Sequence, residues 1–222
     1  MRVGFVCKNT LGAYKKAQNE RADGEENPSV LLFGFNGLGE VAYERELKGE
    51  TRCFEDVATL SKQQKCVVVC GCITNARGHK RKSAIVAEQG RLIGVSDALH
   101  AVDGDVASGA TLRVYDTSVG KMGVVVADDL AFPETLKSLA VCGSDFIVCP
   151  FGRVAPVHSS LVRAYGYCFG VPIFFCGDGV CMIADVSGDL AFSSSQSPAA
   201  FDFEIAKEYH LVQTRQRGFY GL

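Results

Sequence analysis

The chain has no excess of charge: 23 lysine and arginine residues against 25 aspartate and glutamate leave a formal net charge of −2 and a pI near 6.1. Such a balance creates no field that would gather nucleic acid or anionic lipid. Long apolar runs are missing too, and no stretch approaches the roughly 20 residues that a bilayer-crossing helix needs. The apolar-leaning run within Met1–Asn9 is too short for the core of a secretory signal. The expectation is a cytoplasmic protein that engages neither nucleic acid nor membrane. There is no internal repeat, no linker and no low-complexity tract beyond Ser193–Ser197, so residues 1–222 are expected to form one domain. The basic run His79–Lys82 is short and reads as a solvated turn.

Cysteine, by contrast, is present ten times, often inside apolar runs such as Val67-Val68-Val69-Cys70. That is too sparse for a disulfide scaffold, and the settings suit small buried hydrophobes carrying reduced thiols. Cys66, Cys70 and Cys72 form the one dense group. Alternate spacing puts Cys70 and Cys72 on one face of a strand, yet no second pair completes a zinc site. Neither metal nor cofactor is expected.

Short, β-branched runs recur and read as strands: Arg2–Cys7, Ser29–Phe35, Cys66–Ile73, Ser83–Glu88, Arg91–Ser96, Leu112–Asp116, Met122–Ala127, Asp145–Cys149, Pro172–Cys176 and Val180–Asp185. Gln89-Gly90 and the Thr117–Gly120 turn each separate two runs as a hairpin would. Helical spacing is clearest in Phe54–Gln64, Pro133–Val141 and Ser159–Phe169. In the second, Pro133 supplies a start, Gly143 a stop, and Leu136, Leu139 and Ala140 an apolar stripe. Mixed strands with helices between them imply a layered α/β protein.

The stretch Gly120-Lys121-Met122-Gly123-Val124-Val125-Val126-Ala127-Asp128-Asp129-Leu130-Ala131-Phe132-Pro133-Glu134 resembles the nucleophile segment of the nitrilase superfamily of carbon–nitrogen hydrolases. Every landmark is present except the cysteine, in whose place stands Ala127. The flanks agree in order: Ser83-Ala84-Ile85-Val86 with Gly90 and Gly94, Val114-Tyr115-Asp116-Thr117, Leu139–Pro150, Leu161-Val162-Arg163-Ala164 and Ile183–Leu190. The resemblance implies a four-layer α-β-β-α sandwich. It also locates the rest of the catalytic triad. The family's glutamate position falls on Phe35, and its lysine position on Asp97 or a neighbour. Glu40, Lys82 and Lys121 are the nearest groups of the right charge, each displaced in the pattern. Between the first two strands the N-terminal helix looks shortened, with Arg21–Pro28 rich in turn residues.

Cleavage of an amide or nitrile by this route needs a thiolate, a carboxylate to move the proton and a cation for the developing oxyanion. With Phe35, Asp97 and Ala127 at the three places, all three are lost. Two readings follow. One is a pseudoenzyme that binds an amide-like small molecule or a protein partner. The other is a divergent hydrolase whose nucleophile is Cys149, at the end of the next strand, activated by His158 or His100. Asp128, Asp129, Phe132 and Glu134 are pocket candidates, although Asp129 is expected to cap the following helix and Glu134 to favour its positive end. Arg163 and Arg215–Arg217 suit surface ion pairs or subunit contacts. The apolar groups in Phe203–Leu222, notably Phe219, Tyr220 and Leu222, together with the resemblance, suggest a homodimer or higher homo-oligomer.

Overall fold

In the computed structural model, which describes residues 1–19, 26–102 and 104–206, two β-sheets lie face to face under an outer layer of helices. The first sheet runs β13 (Ala199–Asp202), β1 (Arg2–Val6), β2 (Val30–Phe33), β4 (Val67–Ala76), β5 (His79–Glu88), β6 (Arg91–Asp97), with β3 (Glu40–Ala42) pairing to the far half of β4. The second runs β12 (Leu190–Ser194), β11 (Val180–Ala184), β10 (Ile173–Gly177), β9 (Phe146–Pro150), β8 (Gly120–Val124), β7 (Val114–Thr117). At the centre of each sheet three strands are parallel, β1-β2-β4 and β8-β9-β10, and antiparallel strands flank them.

Alternation along each strand decides which layer a side chain joins. Val3 and Phe5 of β1, Leu32 of β2, and Phe146 and Val148 of β9 meet between the sheets. Leu31, Phe33 and Val68 face α1 (Leu11–Asn19) and α3 (Cys53–Gln64), which contribute Leu11, Tyr14, Val57 and Leu60. Ile147, Cys149 and Phe175 face α4 (Pro133–Val141) and α5 (Pro156–Phe169) through Leu136, Leu139 and Val162. Three apolar interfaces thus hold four layers, the α-β-β-α sandwich. Each fully buried Phe or Leu contributes about 1.5–3 kcal/mol.

α4 starts at Pro133 and ends at Val141, ahead of a left-handed Gly143 (φ +84°). α5 begins earlier than its apolar spacing suggests. Pro156 fits the first turn, and the Ala155 N–H donates to His158 Nδ1 at 2.8 Å, satisfying an end that the periodicity does not report. His79–Lys82 is not a turn: the reversal is Arg77-Gly78 (φ +52° and +84°), and the basic run opens β5. Lys80 there meets Glu40 at 2.7 Å, Arg81 lies 3.9 Å from Asp97, and Lys82 pairs with Asp128. β3, β12, β13 and the short α2 (Tyr43–Leu47) had no clear sequence signal. Phe203 is not an exposed contact group but packs between the sheets, edge-on to Phe174 at 5.5 Å. Arg215–Arg217, Phe219, Tyr220 and Leu222, and Arg21 to Glu25 of the turn-rich stretch, lie outside the described residues.

Candidate functional site

β8 runs parallel to β9, and the chain continues past its end with Val125 N–H donating to Val148 O at 3.0 Å. It then enters a 3₁₀ turn, Ala127–Ala131. Val124 and Val126 point between the sheets and Val125 points to the helices, but Ala127 also faces inward. Two successive residues on one side break the alternation, and the break falls where Ala127 adopts φ +49°. A left-handed backbone costs an alanine about 1 kcal/mol. This is an elbow held by its surroundings, with a methyl group at its apex that is 4% exposed.

Of the other two triad-equivalent places, one joins the same inter-sheet layer. Phe35, just past β2, packs against it and ties its N–H to Phe151 O at 3.1 Å. Asp97 does not join it. Its register partner is Ser83, whose neighbour Ile85 faces α3, and Ser83 Oγ donates to Asp97 Oδ1 at 2.7 Å. The next residue, Ala98, turns inward and is buried in the same layer as Ala127. Apolar side chains from Phe35, Ala98 and Ala127 therefore occupy that layer. Strand parity through Ser83 and Ala84 was the signal available for choosing Ala98 over Asp97.

Of the displaced charges, Glu40 is exposed and held by Lys80 and Asn75 (2.7 and 2.8 Å), which keep its carboxyl below the usual range. Lys121 is exposed on β8. Lys82 is different. Its ammonium pairs with Asp128, the residue after Ala127, and its carbonyl accepts the Ala98 N–H at 2.8 Å. The cation nearest the elbow in the chain's own bonding thus arrives from β5.

Asp129 does not cap α4, whose preceding residue Phe132 also offers no side-chain cap. Its carboxylate, 1% exposed, accepts the N–H groups of Leu99 (2.8 Å) and His100 (2.9 Å) and lies 2.7 Å from His100 Nδ1. The His100 ring stacks on Phe132 at 3.6 Å and 6°. Asp128, Asp129 and Phe132 are brought together with Lys82 and His100, while Glu134 stands exposed in the first turn of α4. Sequence reading missed the Asp129–His100 pairing because 29 residues separate the two.

Cys149 is fully buried on the helix side of β9, in the layer with Leu136 and Val162. Burial, reinforced by Asp129 and then Asp128, pushes its thiol far above the ordinary range. His158 is spent on the start of α5 and tilts against Phe151 at 4.4 Å. Among the described residues no three or more His, Cys, Asp or Glu side chains group as metal ligands.

Past the ends of β2 and β9 the two sheets nearly touch through main chain. A Cβ on Gly34 would stand 3.1 Å from Phe151 O and 3.2 Å from Cys176 O, and one on Gly71 would stand 3.1 Å from the Gly34 carbonyl. Phe151 N–H donates to Cys176 O at 2.8 Å, and Asn36 Nδ2 to Asp178 Oδ1 at 2.7 Å. Clefts of about 320 and 520 Å³ lie elsewhere, one along β1 and β13, the other at the start of α1.

Comparison with known proteins agrees with this fold. The carbon–nitrogen hydrolase family model matches residues 28–200. The chain belongs to the carbon–nitrogen hydrolase family. A probable nitrilase of Schizosaccharomyces pombe is 28% identical over 141 residues, 56% of this chain and 51% of that protein, so the match spans about half the relative's length. Among solved structures, Nit3 of Saccharomyces cerevisiae, from branch 10 of the nitrilase superfamily, superposes with a TM-score of 0.75 at 16% identity, covering 100% of this chain and 94% of that one. A glutamate-to-glutamine mutant of the amidase from Nesterenkonia sp. AN1, with acrylamide added at its active-site cysteine, gives 0.75 at 13% identity over 100% and 98%. A cysteine-to-alanine mutant of that amidase gives 0.73 at 14% over 90% and 88%. At these identities the structural likeness is one of carbon–nitrogen hydrolase fold.

Proposed function

We propose that this carbon–nitrogen hydrolase family member has lost amidase and nitrilase chemistry and works as a pseudoenzyme, binding a small amide-like molecule or a protein partner. One observation carries the reading. A left-handed elbow of the kind that would present a nucleophile presents the methyl of Ala127, within a layer shared with Phe35 and Ala98. Among the described residues no thiolate, proton-shuttling carboxylate or dedicated oxyanion cation stands at these three places, and the lack of all three leaves little to accelerate attack on an amide carbon. The runner-up, a hydrolase using Cys149, is disfavoured because that thiol is fully buried and faces the helices.

The Nesterenkonia relatives include an alanine mutant in complex with butyramide, so amide binding without turnover is a property to test here. The experiment measures hydrolysis of butyramide, acrylamide and simple nitriles by the wild-type chain and by Ala127→Cys, with calorimetric binding of butyramide alongside. Rates equal to buffer in both proteins are expected. Wild-type turnover abolished by Cys149→Ser, or a thioester trapped on Ala127→Cys, would sink the proposal. Self-association belongs to the same reading: Val141, Val157, Tyr167 and Leu190 are exposed on or near α4 and α5. Cytoplasmic residence is also proposed; among the described residues no helix is long and apolar enough to cross a membrane.

A further inference from the structure

Away from the elbow, three thiols share the inter-sheet layer. Cys176 and Cys181 are register partners across β10 and β11, and Cys7 follows the end of β1. Cys7 is drawn to the β10–β11 hairpin by its carbonyl, which accepts the Gly179 N–H at 2.9 Å. Both Cys7 and Cys181 lie under the same segment of chain. Cys7 Sγ donates to Gln196 O at 3.3 Å, and Cys181 Sγ to Ser194 O at 3.4 Å. That segment is the wall of the 320 Å³ cleft, whose lining includes Ser194, Gln196 and Pro198. All ten cysteines are free.

We infer that Cys7 and Cys181 form an oxidation site, in which a peroxide converts the two thiols to a disulfide that ties the end of β1 in the first sheet to β11 in the second. One thiol loses its proton and attacks a peroxide oxygen. The S–O bond forms, the O–O bond breaks, and the departing hydroxide takes the proton as water. The second thiol, losing its own proton, then attacks the sulfenic sulfur; S–S forms, S–O breaks, and a second water leaves. Two thiols are oxidised by two electrons and one peroxide is reduced. Cys7 is the partner assigned to Cys181 because both thiols donate to the same Ser194–Gln196 segment and the Cys7 carbonyl is held by the β10–β11 hairpin; burial first, then Cys7, raises the Cys181 thiol to about 12. A cross-strand Cys176–Cys181 bond would have to form directly across a hairpin and join nothing beyond it. Access waits on opening of the Ser194–Gln196 cover, so the reaction is slower than at exposed thiols.

The test exposes the full chain to hydrogen peroxide, alkylates remaining thiols under denaturing conditions and maps peptides without reduction. A Cys7–Cys181 cross-linked peptide is expected, forming more slowly than oxidation of exposed Cys142 and Cys168, reversed by dithiothreitol and retained in Cys176→Ser. Because the mapping is done on the wild-type chain, no variant has to fold for it to be decisive. Cys7 and Cys181 both recovered alkylated after prolonged treatment, or Cys181 found joined to Cys176, would overturn the inference.

Discussion

Ala127 and Cys149 sit on opposite faces of the second sheet, the first turned toward the other sheet and the second toward α4 and α5. Ala127 follows the end of β8 and Cys149 lies near the end of β9, its parallel neighbour, and sequence order alone makes them look interchangeable. Register pairs Val124 with Val148, so unbroken alternation would put Ala127 on the face of Cys149, and the break at Ala127 (φ +49°) turns it to the other. In the native protein Cys149 should therefore resist alkylation under conditions that label Cys142 and Cys168, which are exposed. Time-resolved labelling read by mass spectrometry checks this. Cys149 modified as fast as Cys168 would mean that β9 presents it to solvent.

The elbow makes a prediction of its own. A β-branched residue at φ +49° is strained and too large for the buried apex. Ala127→Val should destabilise by about 2 kcal/mol. Ala127→Gly should stay within about 1 kcal/mol, since relief of backbone strain offsets lost burial and added unfolded-state freedom. Urea denaturation of the three proteins decides it; equal midpoints for valine and glycine would remove the strain argument.

Asp129 anchors the strand-end loop to the elbow. Removing its carboxylate leaves two part-buried main-chain N–H groups, of Leu99 and His100, without that partner. Asp129→Ala should cost about 3 kcal/mol. Hydrogen exchange should locate the loss at Leu99 and His100; a global midpoint shift without faster exchange there would contradict the anchor.

A carboxylate from outside α3 caps that helix. Glu46 accepts the N–H groups of Cys53 (3.0 Å) and Phe54 (3.2 Å) and the Thr51 hydroxyl. Burial pulls its pKa upward, but these three donors outweigh it and hold the group below the ordinary glutamate value. A depressed folded-state pKa means stability present above the unfolded value, near pH 4.3, and lost as pH falls through the folded one. Glu46→Gln should cost about 1 kcal/mol at neutral pH and converge with wild type in acid. Melting curves from neutral to acid pH test the convergence; a constant gap would assign the effect to packing.

Light scattering tests self-association: a dimer of the 23.8 kDa chain is expected at high protein concentration, and a monomer there removes the claim.

The layered architecture was legible because alternation and helical spacing are local. Pro133 and Gly143 marked both ends of α4, and Gln89-Gly90 marked a hairpin. What lay hidden depends on partners far along the chain. Asp129 looks like a helix cap until its nearest donors prove to be Leu99 and His100. His79–Lys82 looks like a solvated turn because Glu40, Asp97 and Asp128, which meet Lys80, Arg81 and Lys82, come from three other segments. Asp97 and Ala98 differ only by one step of strand parity, and no composition signal distinguishes them.

The near-contact of Gly34 with Phe151 and Cys176, and of Gly71 with Gly34, makes the close seam past the ends of β2 and β9 a property of main chain. Trimming side chains such as Phe35 would hollow out a space but leave that seam as close as before. Making room there would therefore take longer connections after β2 and β9, a remodelling of loops rather than of side chains.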